Sequence, residues 1–252
     1  MADTASSGRF AAVICDIDGC LCPETSEPMD AAALARVAAL NARADEGFGP
    51  RITLCSGRPQ PFVEAMCRLI GNRTLPCVAE NGVWLYHPET NRYDMDPGIT
   101  ADDLRMIDEA RAWVREELGP LGVVMQPGKA ASLSLYHADT ALLHGLESRV
   151  RETVQARGWP LRITPTWYYI NCDLAHVSKS TALKRMLAAA GLAGQRLLGI
   201  GDTPADLQIA EHVSVFACPA NAHEAIRERA DYVSPHAEIA GVLDILQRVA
   251  GA

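Results

Sequence analysis

Asp16 and Asp18 stand two residues apart at the end of the short apolar run Ala11-Ala12-Val13-Ile14-Cys15, directly before Gly19. Two carboxylates in that arrangement can hold a hard metal ion beside a nucleophile. Side chains alternate along a strand, so Asp16 and Asp18 share a face, and the carboxyl end of a parallel strand is where α/β sheets bind ligands. Three further short sites carry reactive side chains: Ser56-Gly57-Arg58, Lys179, and Gly201-Asp202-Thr203-Pro204-Ala205-Asp206. Singly, each has a plain structural account. Aspartates before a glycine form solvated turns, Ser56 caps a following helix, Lys179 is a surface cation, and Asp206 is an acidic first-turn residue three positions after Thr203.

The elements that must position these groups follow from hydrophobic periodicity. Strands are expected at Ala11 to Asp16, Arg51 to Cys55, Cys77 to Ala79, Leu197 to Ile200 and Val213 to Ala217. Helices are expected at about Asp30 to Ala44, with Asp30 as N-cap, after Pro59, from about Ser178 to Ala190, and from Pro204. Strands alternating with helices specify a parallel sheet covered by helices. Residues 83–175 have another rhythm. A hairpin (Val83 to Tyr86 with Arg92 to Met95) is followed by two helix-strand-strand runs, with helices at about Ala101 to Leu118 and Thr140 to Ala156, and strands near Val123 to Gln126, Ser132 to Tyr136, Leu161 to Thr164 and Trp167 to Asn171. That pattern is an α+β unit with an antiparallel sheet, inserted into the parallel-sheet domain.

A parallel sheet gathers distant strand ends onto one rim, which here would hold four carboxylates, one ammonium and one hydroxyl. Crowded carboxylates are unfavourable without a cation, and an all-oxygen donor set selects Mg²⁺ over zinc. The seven histidines lack zinc-ligand spacing. A net charge of −8 with no basic cluster argues against a nucleic-acid-binding surface. Eight scattered cysteines, several in core strands, are expected as reduced thiols. The polar start, Met1 to Phe10, and the lack of any long apolar run predict no signal peptide, no membrane span and a cytoplasmic protein.

The four sites, in this order, resemble the four signature motifs of the haloacid dehalogenase superfamily of phosphohydrolases. The insertion between the second and third resembles the larger α+β cap of its sugar-phosphatase-like branch, which includes archaeal phosphoglycolate phosphatases and phosphomannomutases; Glu80-Asn81-Gly82 at the cap's entry is similar to that branch too. The resemblance implies a Rossmann-like parallel-sheet core with helices on both faces (1–82 and 176–252) and an inserted α+β cap (83–175). It also implies roles: Asp16 as nucleophile forming an aspartyl-phosphate, Asp18 as general acid and then base with its backbone carbonyl on the metal, and Asp202 as Mg²⁺ ligand. Asp206 joins that ligand set or orients a bound water, while Ser56, the Gly57 amide and Lys179 bind phosphoryl oxygens. The expected substrate is a small phosphorylated metabolite, a sugar phosphate or phosphoglycolate-like hydroxy acid. A phosphomutase and a silent sugar-phosphate-binding regulator are the alternatives.

Cys20 departs from the Thr, Ser or Asn usual at that position, and a thiol is the weaker donor; its backbone amide is expected to remain available. Lys129, in Gly128-Lys129-Ala130, is either a solvated loop lysine or a cap residue reaching toward substrate. Asn171, Asp173 and His176 at the cap's exit are either a hinge or substrate contact or, on the plainer reading, a connecting loop. Trp84, Trp113, Trp159 and Trp167 are read as cap core.

Overall fold

The computed structural model describes residues 9–251. The first eight residues of the polar start, on which the signal-peptide expectation rests, and residue 252 lie outside the described residues. The chain opens with β1 (Ala12–Cys15), α1 (Ala31–Asp45), β2 (Arg51–Leu54), α2 (Gln60–Leu69) and β3 (Cys77–Ala79). Asp30 caps α1 by accepting from the amide of Ala33 at 2.9 Å. A hairpin of β4 (Trp84–His87) and β5 (Arg92–Met95) follows.

The insertion continues with α3 (Ala101–Trp113), β6 (Val124–Met125), β7 (Ser132–Tyr136), α4 (Thr140–Gly145), α5 (Glu147–Arg157), β8 (Leu161–Pro165) and β9 (Tyr169–Leu174). Its sheet is antiparallel in the order β6-β7-β9-β8. The chain then returns through α6 (Lys179–Ala189), β10 (Leu197–Ile200), α7 (Leu207–Ala210), β11 (Val215–Cys218), α8 (Glu224–Arg229), β12 (Tyr232–Val233) and α9 (Glu238–Arg248). Among the described residues no helix is long and apolar enough to cross a membrane.

The core sheet is wholly parallel, in the order β12-β11-β10-β1-β2. Alternate residues of β1 feed two apolar clusters: Val13 and Cys15 pack with Leu34 and Val37 of α1 and Ile245 of α9, whereas Ala12 and Ile14 pack with Leu183 and Met186 of α6. Helices therefore cover both faces, as the near-continuous apolar strands require. Strand order reverses between β1 and β10, and the crevice at that reversal is where such sheets place ligands.

Three expectations about the insertion need correction. The hairpin is bonded to β3, giving a separate sheet β3-β4-β5, and Tyr86, stacked on Tyr93 at 5.0 Å between ring centroids, packs into the core cluster. The helix expected over 101–118 closes at Trp113 and widens into a π-type turn, Val114–Leu118, ahead of Pro120, which has no amide to continue it. The helix expected over 140–156 breaks into α4 and α5 at Gly145, a poor interior helix residue.

Alternation along the cap strands divides its sheet into two unlike faces. Leu133, Leu135, Ile170 and Cys172 join α3 and α5 in an apolar cluster that also holds Trp113 and Trp159 edge to face. Ser132, Ser134, Asn171 and Asp173 point the other way. Trp84 lies partly buried against both clusters, and Trp167 is exposed at the β8–β9 turn, so neither is cap core.

Glu80 fastens the cap to the core. Its fully buried carboxylate accepts from the amides of Ala130 (2.9 Å) and Ala131 (2.8 Å) and from Ser132 Oγ (2.9 Å). Burial raises its carboxyl group above the ordinary range, and those three donors oppose the rise. Glu80→Ala strands three donors and is expected to lower stability by about 3 kcal/mol, read by urea unfolding. An unchanged midpoint would contradict this fastening role.

Candidate active site

The residues at the carboxyl ends of β1, β2 and β10 and at the start of α6 converge. Lys179, the first residue of α6 after the Ser178 cap, places its Nζ 3.0 Å from Asp16 Oδ1 and 2.6 Å from Asp206 Oδ1. All three side chains are buried. One carboxylate oxygen each from Asp16, Asp202 and Asp206 lies within 4.8 Å of the others.

Two glycines permit this crowding. A Cβ on Gly19, whose φ is +68°, would sit 2.0 Å from Asp202 Oδ2, and one on Gly201 would sit 2.3 Å from Asp206 Cβ. Asn221, which nothing in the sequence singled out, donates to the Gly19 carbonyl at 2.9 Å and steadies that turn. Asp206 fills the structural role of an acidic first-turn residue three positions after Thr203. Its Oδ2 accepts from the amides of Asp202 (3.1 Å) and Thr203 (3.0 Å) and from Thr203 Oγ1 (3.0 Å), a capping arrangement, while Oδ1 takes Lys179.

The electrostatics follow from burial. Burial first, then the Asp206 charge, pushes the Asp16 carboxyl up to about 7, and Lys179 opposes the rise. Burial, then Asp206 and Asp16, pushes Asp202 up to about 9. Burial pulls the Lys179 ammonium down, but Asp16 and Asp206 outweigh it and hold the ammonium well above its ordinary value. Three buried, oxygen-only donors, two of them raised in this way, fit a divalent hard cation. Asp206 already accepts four hydrogen bonds, which leaves Asp16 and Asp202 with more oxygen lone pairs free to hold such an ion.

Asp18 is placed differently. Its carboxylate lies outside that trio and pairs with Arg58, whose Nε is 2.9 and 2.7 Å from the two oxygens. Arg58 also lies over the Phe62 ring, 4.8 Å from guanidinium to centroid. The sequence showed Arg58 only as part of a motif; its bond to a residue forty positions earlier has no local signal. Cys20 is fully buried, its Sγ 4.0 Å from Asp202 Oδ1, and its amide points to the carbonyl of Ile17 at 3.3 Å. The amide is therefore not available to a ligand as expected. All eight cysteines are free and buried.

A cavity of about 260 Å³ opens between core and cap, walled on the core side by Asp16, Asp18, Ser56, Gly57, Arg58 and Lys179. Asp202 and Asp206 stand beside it rather than on its wall. The polar face of the cap sheet supplies the opposite wall, with Ser134, Arg162, Thr164, Asn171 and Asp173, and Lys129 joins them. Lys129 is thus a cavity residue and not a solvated one. Asn171 and Asp173 lie in β9, not in a connecting loop; the alternation of Asn171-Cys172-Asp173-Leu174 carried that signal. His176 stays outside, 3.9 Å from Asp103. Glu24, unremarked in the sequence, also lines the cavity, and burial, then Asp18, raises it to about 7.

Residues 132–246 match the model of the haloacid dehalogenase-like hydrolases. The chain is 26% identical over 241 residues to a phosphoglycolate phosphatase of Methanospirillum hungatei, covering 93% of this chain and 94% of that one. It is 24% identical over 195 residues to a phosphoglycolate phosphatase of Methanoculleus marisnigri, covering 74% and 76%. Among solved structures, a Thermoplasma acidophilum protein matches with TM-score 0.72 at 19% identity, over 95% of this chain and 98% of that one. A Bacteroides thetaiotaomicron phosphatase of the haloalkanoate enzyme superfamily matches at 0.64 and 18% identity, over 98% and 97%.

Proposed function

We infer that this chain, which belongs to the haloacid dehalogenase superfamily and is a phosphatase, hydrolyses a small phosphorylated metabolite through an aspartyl-phosphate on Asp16. The observation that carries the reading is the contact of Lys179 with Asp16 at the wall of a small cavity between core and cap. Lys179 favours the ionised carboxylate that attack requires, against the burial that favours the neutral form.

Attack by an Asp16 oxygen forms the bond to phosphorus as the bond to the substrate's ester oxygen breaks. Asp18 supplies a proton to the departing alkoxide and then takes one from the water that attacks the aspartyl-phosphate, releasing inorganic phosphate. Ser56 Oγ and the Gly57 amide bind the phosphoryl oxygens, and Lys179 at the N-terminus of α6 adds its charge and the favourable end of the helix dipole. Asp16 and Asp202 would hold Mg²⁺, with Asp206 steadying them, and the bound ion would supply positive charge to offset that of the phosphoryl group. A cavity of about 260 Å³ suits a metabolite rather than a polymer or protein surface.

The cation reading has a test independent of turnover. Asp16 and Asp202 titrate higher in the fold than in an unfolded chain, so their contribution to stability is present at low pH. It is lost as pH rises through about 7 and about 9. In chelator, the melting temperature is expected to fall over that window. Excess Mg²⁺ is expected to raise it by about 5 °C near pH 8 and far less near pH 5, where protons compete for the same oxygens. Equal shifts at both pH values, or none, would count against a carboxylate cation site.

A further inference from the structure

On the cap side of the cavity two opposite charges fail to satisfy one another. Lys129 Nζ donates to Ser134 Oγ at 2.5 Å, and among the described residues no carboxylate lies within ion-pair distance of it. Glu80, the other acid whose charge it feels, is fully engaged by Ala130, Ala131 and Ser132. An ammonium has three donors, so two remain. Asp173, only 5% exposed, accepts through Oδ2 from Asn81 Nδ2 at 3.1 Å, with Arg162 at 3.7 Å, while its buried Oδ1 has no partner in the protein. Lys129 and Asp173 line the same cavity, Lys129 bonded to Ser134, whose partner across the strands, Asn171, lies two positions before Asp173 on the same face; each charge opposes the shift that burial imposes on the other.

The pattern is unfilled donors beside an unfilled acceptor, on the wall facing the phosphate-binding residues. A substrate carboxylate would satisfy Lys129 but bring its charge against Asp173. A hydroxyl satisfies both at once, accepting from Nζ and donating to Oδ1. An unpaired buried polar atom is costly, so a ligand that pairs it is favoured over one that does not.

We propose that Lys129 and Asp173 form a hydroxyl-reading subsite, and that the substrate is a phosphomonoester whose carbon chain carries free hydroxyls rather than a phosphorylated simple carboxylic acid. The assignment rests on the phosphatase reading of the Asp16 site. Ser134 and Asn171, hydrogen-bonded to each other across β7 and β9, hold the Lys129 ammonium in place. Glu80 fixes the loop that carries it.

The subsite is tested by calorimetric binding to Asp16→Asn protein, in which the ligands are not consumed. The probes are glycerol 3-phosphate, erythrose 4-phosphate and glucose 6-phosphate, against alkyl phosphates of matching length and phosphoglycolate. At least one hydroxylated ester is expected to bind about tenfold tighter than its alkyl partner and than phosphoglycolate. Adding Asp173→Asn is expected to erase its advantage over phosphoglycolate. Ratios of kcat/KM for wild-type protein across the same esters give the answer a second way should Asp16→Asn not fold. Tightest binding of phosphoglycolate, or no discrimination, overturns the subsite. Wild-type turnover of phenyl phosphate is measured alongside; its absence counts against the phosphatase reading and leaves the binding result to decide the subsite.

Discussion

Asp16→Asn is expected to lower phosphate release from any substrate by roughly 10⁴-fold or more while the protein stays folded. The amide keeps the shape of the side chain but cannot attack phosphorus, so the loss falls on kcat rather than on binding. Folding should survive because the substitution removes one of three mutually repelling carboxylates, and Lys179 keeps Asp206 as its partner at 2.6 Å. Single-turnover phosphate release and circular dichroism check the two halves. Activity within tenfold of wild type would remove Asp16 from the nucleophile's role, and the proposed mechanism with it.

Lys179→Met is expected to injure both stability and catalysis. The substitution conserves length but leaves Asp16 and Asp206 buried without a counter-charge, and breaking such a pair costs about 3–5 kcal/mol. The Asp16 carboxyl, already pushed up to about 7 by burial, would rise further once the opposing ammonium is gone, so less nucleophile is ionised at neutral pH. Urea unfolding should therefore show the deficit shrinking as pH is lowered and the carboxyls take up protons. A deficit independent of pH would mean that Lys179 matters through its packing alone. The kcat profile should also shift to higher pH, which a merely destabilised fold would not produce.

The core was legible because its strands are short apolar runs set between amphipathic helices, and because Asp16 and Asp202 sit at strand ends that a parallel sheet must bring together. Lys179 was legible for the same reason, one residue inside a helix whose Ser178 cap is local chemistry. The partner of Asp18 was not, because nothing near Arg58 in sequence records a bond spanning 40 positions. The β4–β5 hairpin misled because local pattern defines a hairpin but not the edge it joins; burial of Tyr86 against the core decided that. Asn171 and Asp173 were readable in principle, since polar residues alternate with Cys172 and Leu174, but that alternation has meaning only once something faces the polar side. Asp173's orphaned oxygen and the engagement of Glu80 belong wholly to the folded chain.

The two-faced cap sheet bears on how such a protein can change over time. Leu133, Leu135, Ile170 and Cys172 hold the cap together, while their immediate neighbours Ser134, Asn171 and Asp173 meet whatever enters the cavity. Substitutions at the second set leave the apolar contacts of the first in place, so selection can redirect the enzyme toward a new metabolite one position at a time without first acquiring compensating changes in the scaffold. Cap sequence can therefore diverge among relatives faster on one side of these strands than on the other, and an alternating pattern of variability along β7 and β9 is the trace that history would leave.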